Sequence, residues 1–215
     1  MHIYIRQAVW NGGFGRMKAR FVFYCIGLLS LSLGVSLIIK GDLGAAPWDA
    51  LAVGESTLLH LSIGTCIFMN GCILILINAL LLKEGIQWLA ALSIFVIGMM
   101  VDYWITAGLK TVEPVGFGQQ LSLVLIGILL LGIGISIYLQ AKLPSSPMDT
   151  FMVAIHQRFG LNLRNSRLLN EAIAITLAMV FHGAVGIGTV IVACTLGFII
   201  HIFYPIMERM YGKWS

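Results

Sequence analysis

Charged side chains are scarce in this sequence. They make up 10% of its 215 residues, whereas hydrophobic residues make up 59%. An average soluble domain carries about 25% charged residues. This shortage, together with a mean hydropathy of +0.96, excludes an ordinary soluble domain and indicates a polytopic membrane protein.

Motifs of catalysis and of cofactor binding are also missing. The sequence contains no HExxH, no GxSxG and no nucleotide-binding loop, and its four cysteines form no CxxC pair. The chain is therefore expected not to be an enzyme and to bind neither a cofactor nor a metal. The net charge of +4 resides in short loops between apolar runs, so it reports membrane orientation and does not indicate nucleic-acid binding.

Six apolar runs approach the length of about 20 residues that a helix needs to cross a bilayer. They cover residues 21–39, 64–82, 86–106, 119–140, 166–183 and 187–206. With the N-terminus in the cytoplasm, eleven of the thirteen basic residues fall inside, and Lys40 and Lys110 fall outside. This bias predicts a multi-pass protein of the bacterial cytoplasmic membrane with both termini in the cytoplasm. Rings near the run ends, such as Trp88 and Tyr138, are expected at the membrane interface.

The sequence repeats itself at an offset of 100 positions. Gly41–Ala50 returns as Ala141–Thr150, with Leu43, Pro47 and Asp49 matched by Leu143, Pro147 and Asp149. The same offset pairs Gly27 with Gly127, Gly34 with Gly134, Ser36 with Ser136 and Asn70 with Asn170. The pattern predicts a segment 1–20, a first repeat over 21–107, a second over 121–206 and a tail over 207–215. Because each repeat holds three spans, the second runs inverted relative to the first, as in many secondary transporters.

A Pro-x-Asp motif stands between the first two spans of each repeat. Proline is favoured at the first position of a helix, and an aspartate in the first turn faces its free N–H groups. A short helix is therefore expected after Pro47 and after Pro147, with Ser146 as the N-cap of the second. The fold predicted is an all-α membrane bundle of two inverted three-span repeats, each with a short extra helix.

Two interpretations of these short helices stay open. In one, both lie at the membrane surface and Asp49 and Asp149 only cap them. In the other, they dip between the spans and present their N-termini to a central cavity, with Ser145 and Ser146 beside the second aspartate.

Other polar residues in the spans extend the set of candidates. Glu171 is a candidate for a solute or ion pathway, although Arg167 one turn earlier can pair with it. Asn70 and Asn170 occur in both repeats, and hydrogen bonding between helices is the favoured role for them. The pathway candidates are Pro47, Asp49, Asn70, Ser145, Ser146, Pro147, Asp149, Asn170 and Glu171.

The motifs GDLGAAPWDAL over 41–51, SSPMDTF over 145–151 and GIGT over 186–189 resemble those of the YczE/YyaS/YitT group of bacterial integral membrane proteins. The resemblance extends over nearly the whole chain from about residue 21. It implies five or six spans and no established biochemical activity.

The leading functional hypothesis is a transporter or permease of a small solute. The alternatives are a non-transporting accessory or regulatory membrane protein, and the substrate-capture subunit of an ATP-driven importer. The expected partners are the lipid bilayer, a small solute, and either further copies of the chain or another membrane protein.

Overall fold

The computed structural model describes residues 14–141 and 146–214. Eight α-helices follow one another in this part of the chain: α1 (Phe14–Lys40), α2 (Pro47–Leu59), α3 (Ile63–Leu82), α4 (Trp88–Tyr103), α5 (Phe117–Tyr138), α6 (Pro147–Phe159), α7 (Leu163–Val180) and α8 (Ile187–Trp214). A π-helical turn, Trp104–Gly108, continues α4, and a 3₁₀ turn, Leu139–Ala141, continues α5. The described residues form no strand, which confirms the all-α prediction.

Five of these helices are long and apolar enough to cross a membrane: α1, α3, α4 with its π-helical turn, α5 and α8. The sixth predicted span, 166–183, falls on α7, which is not among the five. This helix has 18 residues and carries Arg164, Arg167 and Glu171. The sequence analysis therefore predicted one more apolar span than the structure supports on length and composition.

The ends of the chain are more helical than the apolar runs alone indicated. The run at 21–39 lies inside α1, which begins earlier, at Phe14. The run at 187–206 lies inside α8, which continues past Pro205 to Trp214. Residues 1–13 of the predicted N-terminal segment and Ser215 of the predicted tail lie outside the described residues.

Both short helices begin where the prolines predicted. Pro47 and Pro147 occupy the first turns of α2 and α6, after Ala46 and Ser146 in extended conformation. Ser146 stands at the N-cap position, but its side chain makes no capping hydrogen bond; its hydroxyl lies 3.1 Å from the Met148 sulfur. The prediction that Ser146 caps α6 through its side chain is therefore wrong.

The following helices start and stop in matching ways. The chain turns after α2 at His60 and after α6 at Gly160, both with positive φ. Ser62 then caps α3 by accepting the Thr65 N–H at 3.2 Å, and Asn162 caps α7 by accepting the Asn165 N–H at 2.7 Å. Such caps are favourable because they satisfy free N–H groups of the first turn.

Among the described helices, α1 and α5 make the most extensive contact, and glycines allow it. A Cβ added to Gly34 would lie 2.5 Å from the Leu131 nitrogen, and one added to Gly134 would lie 2.5 Å from the Leu31 nitrogen. Gly27 meets Tyr138 in the same way. Because residue numbers rise along α1 as they fall along α5, the two helices are antiparallel. Close approach of two backbones allows extensive van der Waals contact.

The short helices interlock the two parts of the chain. Helix α2 packs on α3 and on α7, while α6 packs on α7 and on α3. The Asn78 side chain of α3 donates a hydrogen bond to the Pro147 carbonyl at 2.9 Å. The Ala45 N–H donates to the Ala184 carbonyl at 2.9 Å. Each short helix is thus held in place by an element from the other part of the sequence.

The tight contact of α1 with α5 yields a first prediction. Gly34→Ala places a methyl group against backbone atoms that cannot rotate away. We expect it to destabilise the folded protein by about 1–3 kcal/mol, as overpacking does. The melting temperature in detergent, read by size-exclusion chromatography after heating, measures the loss. Gly118→Ala is the control, because nothing lies within 4 Å of an added Cβ there. Equal melting temperatures for both variants would contradict the packing described.

Candidate functional site

A cavity of about 180 Å³ lies between α1, α4, α5 and the starts of α2 and α6. Its wall is mostly apolar, with residues such as Leu28, Leu31, Val35, Ile97 and Leu131. The polar side chains that reach it are few. They are Tyr24, Asp49, Ser93, Tyr138, Ser146 and Asp149, together with the indole of Trp48.

The two Pro-x-Asp motifs meet at this cavity. Ala46, Trp48 and Asp49 line it from the first motif, and Ser146, Pro147, Met148 and Asp149 line it from the second. Pro47 is buried at the start of α2 and is not among the lining residues. Ser145 lies outside the described residues. The N-termini of α2 and α6 therefore meet at one cavity.

Asp49 has an unusual environment for a carboxylate. In the described part of the chain it makes no hydrogen bond or ion pair with any protein group. It does not cap α2, so the capping role suggested by its position is absent here. Removal from bulk water raises the pKa of Asp49 to about 7. A charged carboxylate that has no partner and is removed from bulk water raises the free energy of the folded protein. Water or a bound cation in the cavity would lower this free energy.

Asp149 is better supported by its neighbours. Burial among the helices raises its pKa, and two groups oppose this shift: the positive charge of Arg167 and the hydroxyl of Tyr138, which donates to the carboxylate. The residue is nevertheless exposed, because the cavity leaves it accessible to molecules of the size of water. The two aspartates thus share one cavity but differ in their partners.

Aromatic residues form part of the wall. The Tyr24 hydroxyl hydrogen-bonds Ser93 and so joins α1 to α4. Trp48 meets Phe151 edge to face, with ring centroids 6.3 Å apart. Tyr138 is 5% exposed. Tyr138 therefore packs against other helices and does not face lipid, whereas Trp88 is 74% exposed. The placement of these rings at the membrane interface stays a prediction.

The remaining candidates lie away from the cavity wall. Asn70 is buried and donates a hydrogen bond from Nδ2 to Glu55 Oε2 at 2.7 Å, linking α3 to α2. Burial raises the pKa of Glu55, and the hydrogen bond from Asn70 opposes the shift. Asn170 is buried on α7, and its Oδ1 has no hydrogen-bond partner in the described chain. The duplicated asparagines therefore have different surroundings.

Glu171 forms an ion pair with Arg167 within α7, with Nε and Oε1 3.0 Å apart. The pairing suggested by their spacing is confirmed. The Arg167 guanidinium is 3.7 Å from the position of a Cβ added to Gly197, so it reaches α8. Arg167 consequently influences two carboxylates, Glu171 directly and Asp149 through its charge.

Asp102 has a structural role that the sequence did not reveal. From the end of α4, its carboxylate accepts the Gly64 N–H at 2.7 Å and the Ser62 hydroxyl at 2.6 Å. It thus caps α3 from a neighbouring helix. Among the residues that the structure describes, no group of three or more His, Cys, Asp or Glu side chains could hold a metal ion.

The chain has relatives over nearly its whole length. The model of a family of unknown function, DUF6198, matches residues 18–205. The chain belongs to this family. Among its relatives, YyaS of Bacillus subtilis is 36% identical over 190 residues, which cover 88% of this chain and 94% of that protein. An uncharacterized protein of Haemophilus influenzae is 33% identical over 181 residues, 84% of this chain and 81% of its own.

A third relative carries a membrane designation in its name. YczE of Bacillus subtilis, an uncharacterized membrane protein, is 29% identical over 189 residues, 86% of each chain. The resemblance to the YyaS and YczE proteins is thereby confirmed. No solved structure matches the chain significantly. With five helices long and apolar enough to cross a bilayer, this DUF6198 chain is a multi-pass membrane protein.

The Asn70–Glu55 contact yields a second prediction. Asn70→Leu leaves the buried Glu55 carboxyl without its donor, and we expect a loss of about 1–3 kcal/mol in the free energy of unfolding. The double variant Glu55→Leu/Asn70→Leu removes both polar groups, so it should be less destabilised than the sum of the two single variants. The unsubstituted protein, the two single variants and the double variant form a double-mutant cycle, and thermal denaturation in detergent measures the stability of each. Strict additivity would show that the two side chains are not coupled.

Proposed function

We propose that this protein is a transporter of a small solute in the bacterial cytoplasmic membrane, and that the solute binds in the cavity between the starts of α2 and α6. The observation that carries the proposal is the convergence of two sequence-related helix starts, each with an aspartate, on one cavity. Short or broken helices at matching places of two repeats are typical of secondary-transporter binding sites.

Inverted repeats are part of this proposal. Helices α1 and α5, which the sequence repeat makes equivalent, run antiparallel. Their contacts are also related by the repeat: Gly34 contacts Leu131, and the residues 100 positions away, Gly134 and Leu31, contact each other. Likewise α2 packs on α7 as α6 packs on α3. A two-fold axis perpendicular to the helices accounts for both relations. Because the helices cross the bilayer, such an axis lies in the membrane plane.

The same symmetry supports α7 as a sixth span. Helix α7 is the counterpart of α3 in the repeat. Its 18 residues, at a rise of about 1.5 Å per residue, are roughly long enough to cross a thin hydrocarbon core. Its first charged residues, Arg164 and Arg167, stand near the N-terminal end, where the proposed topology places the cytoplasm. Six spans then return the C-terminus to the side of the N-terminus.

A topology experiment tests the inverted arrangement and is the third prediction. Leu59 and Phe159 are equivalent by the offset and both exposed, at 48% and 63%. A single cysteine at either position, in a background free of the four native cysteines, should react with a membrane-impermeant maleimide from opposite faces. Leu59→Cys should label in intact cells, and Phe159→Cys only in inverted vesicles. Labelling of both from one face would refute inverted repeats.

Alternating access is the fourth prediction, and its test requires no knowledge of the solute. Ile97 lines the cavity. If the cavity opens in turn to each side, Ile97→Cys should react with a small impermeant methanethiosulfonate reagent in right-side-out and in inverted vesicles. Leu92→Cys on the same helix is the control, because Leu92 is 60% exposed and does not line the cavity. It should react from neither side.

Reaction of Ile97→Cys from a single side would contradict the transporter proposal. That result would instead fit a receptor-like accessory protein or the capture subunit of an importer, both of which open a site to one face. Reaction of Leu92→Cys would show that the reagent crosses the lipid, and the vesicles would have to be resealed before the test is read.

A further inference from the structure

Resting on the proposed function, we infer the class of solute: a small organic cation of single charge with an apolar body, such as a quaternary or primary amine. Three properties of the cavity lead to this class, namely its charge, its aromatic wall and its size.

The charge of the cavity is negative. Two carboxylates, Asp49 and Asp149, reach it, and no lysine or arginine lines it. The N-termini of α2 and α6 offset part of this charge, since each helix start carries about +0.5 of an elementary charge. If both carboxylates are ionised, the remainder is close to one negative charge, which matches a monovalent cation. An anion would meet two carboxylates at close range.

The nearest basic side chain does not reverse this balance. Arg167 lies close enough to lower the pKa of Asp149, but its guanidinium is paired with Glu171 at 3.0 Å. The positive charge of Arg167 is thereby offset within α7. Asp49, which makes no hydrogen bond or ion pair in the described chain, remains free to pair with a ligand.

The wall of the cavity favours an organic cation over a metal ion. Three electron-rich rings, Tyr24, Trp48 and Tyr138, line it, and such rings attract ammonium groups within about 6 Å of their centres. Most of the remaining wall is aliphatic and suits methyl or methylene groups. A metal ion such as Ca²⁺ needs about six to eight oxygen ligands, which a mostly apolar wall does not provide. No cluster with the required ligands occurs in the described residues.

Trp48 contributes its ring and not its N–H group. Its indole Nε1 is buried and has no acceptor among the residues that the structure describes, whereas other atoms of the residue line the cavity. Because a ligand in the cavity meets the ring and cannot reach Nε1, the contribution of Trp48 to binding is the attraction of an aromatic ring for a cation.

The size of the cavity limits the ligand. Its volume of about 180 Å³ equals that of about six water molecules at roughly 30 Å³ each. Pockets for drug-sized ligands begin at about 300 Å³. A cation with a few carbon atoms therefore fits, whereas a bulky multi-ring cation does not.

The experiment compares three probes of nearly equal shape on the full-length protein in lipid nanodiscs. Choline is the cation, 3,3-dimethylbutan-1-ol is its neutral isostere, and 3,3-dimethylbutyrate is an anion of similar shape. Isothermal titration calorimetry measures binding of each. We expect choline to bind at least tenfold more tightly than the neutral isostere, and the anion not to bind at millimolar concentration. Equal binding of the alcohol, tighter binding of the anion, or no binding of choline would overturn the inference.

Matched variants locate the binding. Asp49→Asn and Asp149→Asn keep the size of the side chain and remove its charge, and each should weaken choline binding at least tenfold. Trp48→Leu should weaken it severalfold, whereas Trp48→Phe, which keeps a ring, should weaken it less. Asp42→Asn is the control: Asp42 is exposed, has a φ of 54° that asparagine tolerates, and lies outside the cavity. Retained choline binding in the double variant Asp49→Asn/Asp149→Asn would refute the site.

The result of the choline-binding experiment can be distinguished from the result of the transport test. If Ile97→Cys reacts from both faces but choline does not bind, transport stands and the cation class is refuted. If choline binds at the aspartates but Ile97→Cys reacts from one face only, the ligand class stands and transport is refuted. Each variant is first checked by size-exclusion chromatography, and an Asn variant that does not fold is replaced by the Glu variant, which keeps the charge and should retain binding.

Discussion

The rest of the structure depends on the antiparallel contact between α1 and α5. Glycines at 27, 34, 127 and 134 let two backbones approach to distances that no side chain would permit. In lipid there is little hydrophobic gain from bringing helices together, so van der Waals contact between closely packed backbones has a larger share in their association. This pair forms one wall of the cavity, since residues of both helices, from Tyr24 to Val35 and from Leu131 to Tyr138, line it. Any widening of the contact would alter the cavity directly.

The second constraint is that the backbone N–H and carbonyl groups inside a membrane protein must form hydrogen bonds or face water. The segment before α2 is not helical, and its Ala45 N–H donates a hydrogen bond to the Ala184 carbonyl. At the start of α6, the Pro147 carbonyl accepts a hydrogen bond from the Asn78 side chain. Residues of both helix starts line a cavity that a ligand or water can occupy. The aspartates stand where the positive ends of the two helices would favour anions, and in our proposal this placement is what makes the cavity favour a cation.

Much of the local structure could be predicted from the sequence, because its causes are local. Pro47 and Pro147 start α2 and α6, and five of the six apolar runs correspond to helices apolar enough to span. The spacing of Arg167 and Glu171 predicted their ion pair. The repeat also pointed to Asp49 and Asp149 as a pair. What the sequence could not supply were partners from distant helices: Asp102 capping α3, Glu55 accepting from Asn70, and the burial of Tyr138, which stands at the end of an apolar run and looked like an interfacial ring.

Composition and periodicity by themselves determined that this chain is an all-helical multi-pass membrane protein with a short helix after each Pro-x-Asp motif. The causes act within a few residues along the chain: the length of the apolar runs, the restricted φ of proline, and the need of backbone N–H groups for hydrogen bonds. Only the tertiary structure decided that both aspartates share one cavity and that neither Asn70 nor Glu171 lines it. It also decided that Asp49 has no partner among the described residues, while Asp149 has Tyr138 and Arg167. These properties depend on how helices distant in sequence are placed beside one another, and no pattern along the chain encodes a distance between two helices.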